Sequence, residues 1–267
     1  MKVLFSKYHG TGNDFIMIDN RTSYLNIYKE LVKFMCDRRF GIGADGLILL
    51  QNHPDLDFEM IYFNSDGNES SMCGNGGRCI TAFSKRLGII NDKATFNAID
   101  GEHSAEIIDS IEDKNAPVMQ VRLKMKDVSD IEIGDNYIYM DTGSPHYVIK
   151  VDDVKSVDII NDARKIRYNE RFKTFGTNVN FIENKIDHLY VRTYERGVED
   201  ETLSCGTGVT ASAIAAAIWD LNKYENNCSV NTPGGKLSVH YEKDGDNFKN
   251  VWLEGPTAFV FDGIIEI

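Results

Sequence analysis

Two cysteines each begin a near-identical glycine turn, one in each half of the chain. The first turn is MCGNGG at residues 72–77, and the second is SCGTGV at residues 204–209. A helical pattern follows each turn, so both sulfurs are expected at helix N-termini. Two thiols on opposite sides of one carbon atom can remove a proton from one face and deliver a proton to the other. The pattern therefore indicates a cofactor-independent inversion of a carbon centre, with Cys73 and Cys205 as the acid/base pair.

The helix ends explain why a cysteine can act as a base at these positions. The thiolate is the reactive form, and an ordinary thiol has a pKa of about 8.5. Unpaired backbone N–H groups and the positive end of the helix dipole lower that pKa at a helix N-terminus. The glycines leave the backbone free to form an anion-binding nest, for which a substrate carboxylate is the natural guest.

The predicted elements give an α+β chain that is rich in short strands. Helical periodicity marks residues 27–39, 76–87, 154–167 and 206–221. Strands are predicted at 2–8, 14–18, 46–50, 58–64, 95–98, 104–108 and 118–124 in the first half, and at 137–141, 146–150, 178–182, 188–193, 228–231, 235–241, 251–254 and 258–267 in the second. The helix after Cys205 has no charged residue from Val209 to Trp219, which is typical of a helix buried on all sides.

The order of the elements repeats, which indicates an internal duplication. The two cysteines lie 205 − 73 = 132 positions apart, close to half of the 267 residues. We predict two pseudo-symmetric domains, each a curved and mostly antiparallel sheet wrapped around a central helix. The first covers residues 1–115 and carries Cys73, and the second covers residues 116–267 and carries Cys205. The C-terminal strand 258–267 is a candidate to cross back to the first domain.

Composition and charge restrict the class of partner. The formal net charge is -12, which argues against binding to nucleic acid or to an anionic membrane. The apolar run at residues 3–5 is too short for a signal peptide, and no stretch approaches the roughly 20 apolar residues of a membrane span. The expected location is the cytoplasm, and the expected partner is a small molecule.

The cysteine count argues against two structural roles. The chain has five cysteines, an odd number without CxxC spacing, which weakens both a disulfide framework and a zinc site. Cys36, Cys79 and Cys228 are interpreted as small buried apolar residues. No metal and no cofactor are predicted, because fixed N–H groups at a bound carboxylate can stabilise a carbanion without an electron sink.

Several motifs occur in order along almost the whole chain. They are HGTGNDF at 9–15, FNSDG at 63–67, MCGNGGRC at 72–79, GSPH at 143–146, TNVNF at 177–181, YERG at 194–197 and SCGTG at 204–208. With these motifs the chain resembles the diaminopimelate epimerase family, whose members interconvert the LL and meso forms of 2,6-diaminoheptanedioate in bacterial lysine and peptidoglycan synthesis. The resemblance also implies a homodimer and a cleft that closes.

The resemblance implies a role for each matching residue. Cys73 and Cys205 are the catalytic pair. The backbone at four positions around them would hold the reacting carboxylate: Gly74, Asn75, Gly206 and Thr207. Five side chains would recognise the polar ends of the substrate: Asn13, Asn64, Asn178, Glu195 and Arg196. His146 and Ser144 are supporting residues, and His146 is placed with Glu195 beside the cysteines.

The residue types agree with a substrate that has an amino-carboxylate at each end. Arg196 can bind a carboxylate with two parallel hydrogen bonds, and Glu195 offers the opposite charge. Neighbours on a strand point to opposite faces, so both reach one ligand only if the chain turns at Arg196-Gly197. Two positions depart from the family pattern. Ser144 stands where many members have Asn, and Gly46 stands where some have Gln.

Three alternative functions are compatible with parts of the sequence. A proline-type racemase or related isomerase of the same fold would use the same pair of thiols on another amino acid. A thiol redox sensor would close a reversible disulfide between Cys73 and Cys205. A zinc-binding module is the third alternative. Glu195, Arg196 and the three asparagines favour the doubly zwitterionic substrate.

Overall fold

The computed structural model describes residues 1–70, 72–111, 118–221 and 226–267. The chain forms two compact units, one of Met1–Leu123 with Gly255–Ile267, the other of Lys124–Glu254. The predicted boundary between residues 115 and 116 lies outside the described residues. None of the helices in the described ranges is long and apolar enough to cross a membrane.

The elements are as follows in chain order: β1 (Lys2–Gly10), β2 (Asn13–Asp19), α1 (Lys29–Cys36), β3 (Gly46–Gln51), β4 (Phe58–Asn64), α2 (Gly74–Arg86), β5 (Lys93–Ala98), β6 (Gly101–Ile111), β7 (Val118–Lys124), β8 (Glu132–Ile133), β9 (Tyr137–Asp141), β10 (Pro145–Lys150), a 3-10 turn (Val154–Ser156), α3 (Ile159–Arg167), β11 (Asn178–Asn184), β12 (Leu189–Glu195), β13 (Asp200–Thr202), α4 (Gly206–Ile218), β14 (Asn227–Thr232), β15 (Gly235–Asp244) and β16 (Asn247–Glu266).

In the first unit the strands form a closed circuit around α2. The order is β1 to β7 followed by β16, and the C-terminal part of β16 pairs with both β7 and β1. Neighbours are antiparallel except for the parallel pairs β2–β3 and β4–β5. Helix α2 contacts β1, β2, β3 and β6, and every residue from Gly74 to Ser84 is buried. The helix is therefore the centre of this unit.

The second unit repeats the same order of pairings. Strands β9 to β12, β14, β15 and the start of β16 follow one another, β8 and β13 are additions, and the parallel pairs are β10–β11 and β12–β14. Helix α4 contacts six of these strands. Its uncharged sequence predicts burial on all sides, and each described residue from Val209 to Ala216 is buried. The predicted α+β fold with two repeated halves, each with a sheet around a central helix, is confirmed.

Some element bounds differ from the predictions for local reasons. The strands predicted at 251–254 and 258–267 are one strand, β16, because the chain changes partner there without turning: Glu254 pairs with β15 and Gly255 with β7. The helix predicted at 154–167 is a 3-10 turn followed by α3, because the Asp158 side chain caps a new helix by accepting a hydrogen bond from the Asn161 N–H. Strands β8 and β13 were not predicted.

Candidate active site

Cys73 lies at the start of the central helix of the first unit. It is the N-cap residue of α2, with an extended backbone, and its side chain makes no capping bond to the helix. The Cys73 Sγ atom lies 3.6 Å from the Oδ1 atom of Asn13. No acidic residue occurs in the first turn of α2. The sulfur therefore lies at the positive end of a helix, whose field favours a negative charge.

The orientation of the Asn13 amide is set by its two other partners. Its Nδ2 group donates to the Asp45 carboxylate at 2.8 Å, and its Oδ1 atom accepts from Asn75 Nδ2 at 3.2 Å. Asp45 is held in turn by Arg38 at 2.8 Å. An amide oxygen, which accepts and does not donate, is thus turned toward Cys73. Asp45 was not predicted from the sequence as a site residue.

Asn64 is oriented by a tyrosine that explains the glycine at position 46. The Tyr62 hydroxyl donates to Asn64 Oδ1 at 2.7 Å. A Cβ atom on Gly46 would lie 2.5 Å from the Tyr62 ring. The ring occupies the space that a longer side chain at position 46 requires, and its hydroxyl supplies a polar group there. The departure at Gly46 is visible in the sequence, whereas the contact with Tyr62 is visible only in the structure.

Cys205 has the same position in the second unit and different neighbours. It is the N-cap residue of α4, also with an extended backbone. The sulfur lies 3.5 Å from the Thr207 hydroxyl, and the cysteine is buried. Ser144 Oγ lies 3.1 Å from the same hydroxyl. A hydroxyl group therefore lies next to this sulfur, where an amide oxygen lies next to the first.

His146 is fully buried beside Thr207 and keeps a single tautomer. The Thr193 hydroxyl donates to Asn180 Oδ1 at 2.8 Å, which turns the Asn180 amide nitrogen toward His146 Nδ1 at 2.9 Å. Because Nδ1 accepts, the ring proton is on Nε2, which donates to Thr207 Oγ1 at 2.9 Å or to Ser144 Oγ at 3.0 Å.

Burial lowers the pKa of His146 to about 3, and the nearby Asp141 carboxylate only partly opposes this effect. The imidazole is therefore neutral at neutral pH and acts as a hydrogen-bond donor to the second turn. It is not available as a proton acceptor there, because protonating it would place a charge in a fully buried position.

Asn178 and Arg196 are held by the protein in one arrangement. Asn178 Oδ1 accepts from the Arg196 backbone N–H at 2.8 Å, and its Nδ2 group donates to the Pro145 carbonyl at 3.0 Å and to Ser144 Oγ at 3.1 Å. The Arg196 guanidinium donates to the Phe175 carbonyl at 2.9 Å. Asn178 thereby links the start of β10 to the Arg196 turn.

Glu195 and Arg196 can reach one ligand only if the chain turns at Arg196-Gly197, and the structure has this turn. Strand β12 ends at Glu195, and the chain reverses into β13, where Asp200 pairs with Glu195. Gly197 has φ +94 in this turn, a conformation that favours glycine. The Glu199 carboxylate holds the turn by pairing with Arg167 at 3.0 Å. The two charged side chains therefore belong to a tight reversal and not to a straight strand.

Hydrogen bonds connect several of the predicted site residues within each unit. Cys73, Asn13 and Asn75 are linked in the first, and Asn64 is bound separately by Tyr62. In the second, Thr207 and Ser144 link Cys205 to His146 and Asn178. Four neighbours were missed: Asp45, Tyr62, Asn180 and Thr193. Asn180 had a detectable signal, because residues two apart on a strand share a face and Asn178 was already a candidate.

Comparison with known proteins identifies the family. The diaminopimelate epimerase family model matches residues 5–123 and 138–260. The chain is 50% identical over 264 residues to a diaminopimelate epimerase of Flavobacterium psychrophilum, covering 97% of this chain and 98% of that protein. A Chlorobaculum tepidum protein of the same name is 40% identical, with 97% and 99% covered. The chain belongs to the diaminopimelate epimerase family. The predicted class, an isomerase, is confirmed.

Solved structures with low sequence identity share the fold. A PhzF-family phenazine biosynthesis protein of Bacillus anthracis matches with TM-score 0.76 at 14% identity, covering 100% of both chains. A hydroxyproline epimerase of Agrobacterium vitis matches with TM-score 0.69 at 13% identity, covering 99% of this chain and 92% of that one. These likenesses bear on the architecture alone.

Proposed function

We propose that the protein inverts one α-carbon of 2,6-diaminoheptanedioate, converting the LL form to the meso form, with Cys73 and Cys205 as the acid/base pair. One observation carries the proposal. Each copy of the repeated fold has a cysteine at the N-cap of its central helix. Membership of the family and the high identity to its named members support the choice of substrate.

In this mechanism one sulfur acts as base and the other as acid. A thiolate removes the α-proton from one face, and the thiol of the other cysteine delivers a proton to the opposite face. A general base contributes about 10²–10⁴-fold to the rate, so the carbanion needs further stabilisation. Backbone N–H groups at Gly74, Asn75, Gly206 and Thr207 would supply it by binding the reacting carboxylate. The proposal requires both sulfurs to reach the same α-carbon.

The far end of the substrate would be recognised by the remaining polar side chains. Arg196 would bind the second carboxylate and Glu195 the second ammonium group. Asn13 and Asn64 are held by neighbours in defined orientations, so each presents a known group to a ligand. Asn178 would act by holding the Arg196 turn as well as by direct contact.

Isotope exchange tests the proposal directly. LL-diaminoheptanedioate incubated with the protein in deuterated water should gain deuterium at one α-carbon as it is inverted, and proline should remain unlabelled. Cys73→Ser and Cys205→Ser should each lose at least about 10²-fold of the inversion rate. Cys36→Ser is the matched control, because this buried cysteine has no proposed role and the variant should retain inversion.

Other outcomes would favour the alternatives. Labelled proline with unreactive diaminoheptanedioate would make the protein a proline-type racemase. A reduced protein without turnover on any amino acid, but with a partner that binds only after oxidation, would make it a thiol sensor. Inversion that persists in both serine variants would contradict the two-thiol mechanism.

Two further predictions concern assembly, inferred from the resemblance to the family, and location, inferred from the sequence. We infer a homodimer and a cytoplasmic location. Light scattering coupled to size-exclusion chromatography measures the first, and a mass near twice the 30.1 kDa of one chain is expected.

A further inference from the structure

A buried arginine that has no acidic partner among the described residues contacts the first cysteine turn. The Arg78 side chain is 0% exposed and is the largest fully buried side chain of the described residues. Among those residues no carboxylate lies within ion-pair distance of it, and its Nε atom has no hydrogen-bond partner. A guanidinium remains charged in proteins, and a buried charge is costly unless a group of opposite charge compensates it. Arg78 therefore needs a negative charge from another source.

The hydrogen bonds of Arg78 place its guanidinium beside the Cys73 turn. Its Nη1 group donates to the Gly74 carbonyl at 3.2 Å, and its Nη2 group donates to Asn75 Oδ1 at 3.0 Å. Asn75 in turn donates to the Asn13 oxygen that faces the Cys73 sulfur. The guanidinium therefore contacts the residue that follows Cys73, and two amide side chains, Asn75 and Asn13, connect it to the Cys73 sulfur.

The ionisable groups around Arg78 leave Cys73 as the group that can compensate the charge. Burial lowers the pKa of Arg78, and two sulfurs raise it, those of Cys79 on α2 and of the N-cap residue Cys73. Burial raises the pKa of the Cys79 thiol well above its ordinary value, so Cys79 stays neutral. On the strands packed against α2, Asp14 is paired with Lys7 and Arg38, and Glu106 is paired with Arg122 and Lys93. Asp19 is paired with Arg21, and His103 with Asp100.

The second turn has a neutral residue at the matching position. Five residues after Cys205 stands Thr210, whose hydroxyl donates to the Gly206 carbonyl at 3.0 Å. Five residues after Cys73 stands Arg78, which makes the equivalent bond to the Gly74 carbonyl. The two side chains satisfy the same backbone group, and only one of them carries a charge. Gly10 makes room for it, since a Cβ atom there would lie 3.3 Å from the Arg78 Nη2 atom.

We propose that Arg78 is a positioning residue whose buried charge stabilises the thiolate of Cys73, so that Cys73, and not Cys205, is the ionised sulfur of the resting protein. This inference rests on the proposed function in one respect only, namely that a thiolate is the group that removes the α-proton. Two contacts act in the opposite sense: the Asn13 oxygen can accept from a Cys73 thiol, and the Thr207 hydroxyl can donate to a Cys205 thiolate. Each of these two contacts is a single long hydrogen bond to sulfur, at 3.6 Å and 3.5 Å, whereas a buried cation acts through a medium of low dielectric constant, so the charge decides the order.

Labelling of the wild-type protein is sufficient to test whether Cys73 ionises at a lower pH than Cys205. Iodoacetamide labelling is followed from pH 5 to pH 10, and the Cys73 and Cys205 peptides are quantified separately by mass spectrometry. The midpoint of Cys73 labelling is expected at the lower pH. The reverse order overturns the proposal, whether or not the protein inverts diaminoheptanedioate.

Three variants separate charge from structure. Arg78→Met should raise the Cys73 midpoint by on the order of one pH unit, and Arg78→Lys, which keeps the charge, should restore most of that shift. Thr210→Val, at the matching position, should leave the Cys73 midpoint unchanged. A folded Arg78→Met protein with the wild-type midpoint, or equal shifts in Met and Lys variants, overturns the proposal. Inactive wild-type protein with the expected midpoints would remove the proposed function and leave this inference in place.

Discussion

Around Cys73 the polar side chains connect charged groups, whereas around Cys205 they form a neutral cluster. The first series of hydrogen bonds runs from Arg78 through Asn75 and Asn13 to Asp45. The second joins Thr193, Asn180, the neutral His146 and Thr207, and it contains no charged member. The backbones of the two turns are alike, since each cysteine is an extended N-cap residue before a buried helix.

This difference shows how a duplicated fold can supply two unequal thiols. A two-base inversion needs one thiolate and one thiol at the same time. Identical surroundings would give the two sulfurs equal pKa values, and the doubly protonated and doubly ionised forms would then compete with the useful one. In the proposed mechanism the repeated helix ends would provide a common anion-binding geometry, and the different side chains around them would make the two pKa values unequal.

The largest expected effect is a loss of protein stability at acid pH, caused by the buried His146 of the neutral cluster. The pKa of His146 is about 3 in the folded protein and about 6.5 when unfolded, so the unfolded chain binds the extra proton between these values. Stability should therefore fall as the pH drops from about 6.5 toward 3, by up to about 1.4 kcal/mol per pH unit from this residue. Urea unfolding at several pH values measures the slope. His146→Gln should flatten it, and parallel acid curves for the two proteins would contradict the neutral assignment.

The matching glycines of the two turns give the next test. A Cβ atom on Gly208 would lie 2.5 Å from Asn180 Oδ1, in a cluster that cannot give way without breaking hydrogen bonds. A Cβ atom on Gly76 would lie 3.0 Å from the end of the flexible Ile48 side chain. Gly208→Ala should cost about 1–3 kcal/mol of unfolding free energy, and Gly76→Ala distinctly less. Equal losses in urea titrations would show that both turns are equally tight.

The smallest effect is expected at Tyr62. Tyr62→Phe removes the donor to Asn64 Oδ1 and should cost about 1 kcal/mol of stability. Because Asn64 is a proposed substrate residue, KM for diaminoheptanedioate should rise while kcat changes little. Tyr137→Phe is the matched control, since it removes a hydroxyl that donates to Glu132 at 2.6 Å, away from the predicted site residues. A fall in kcat with unchanged KM for Tyr62→Phe would assign the tyrosine to the chemical step.

Local sequence determined the ends of the two central helices and the burial of α4. A cysteine followed by glycines before an apolar helical run is sufficient to place a sulfur at a helix N-terminus. An uncharged run from Val209 to Trp219 has no face that favours water, so it must be covered. The repeat of elements and the family motifs were likewise readable, since both are properties of order along the chain.

Only the tertiary structure decided what surrounds each sulfur. Asn13 meets Cys73 across 60 residues, and Asn180 meets His146 across 34. Such contacts depend on which strands pair and on the face that each side chain takes, and no local pattern encodes them. The same holds for Arg78, which follows Cys73 closely in sequence. The closed circuit of strands buries its side chain, and no carboxylate of the described residues lies within ion-pair distance of it. Position along the chain set the two thiols at helix ends, and burial and long-range packing made their environments different.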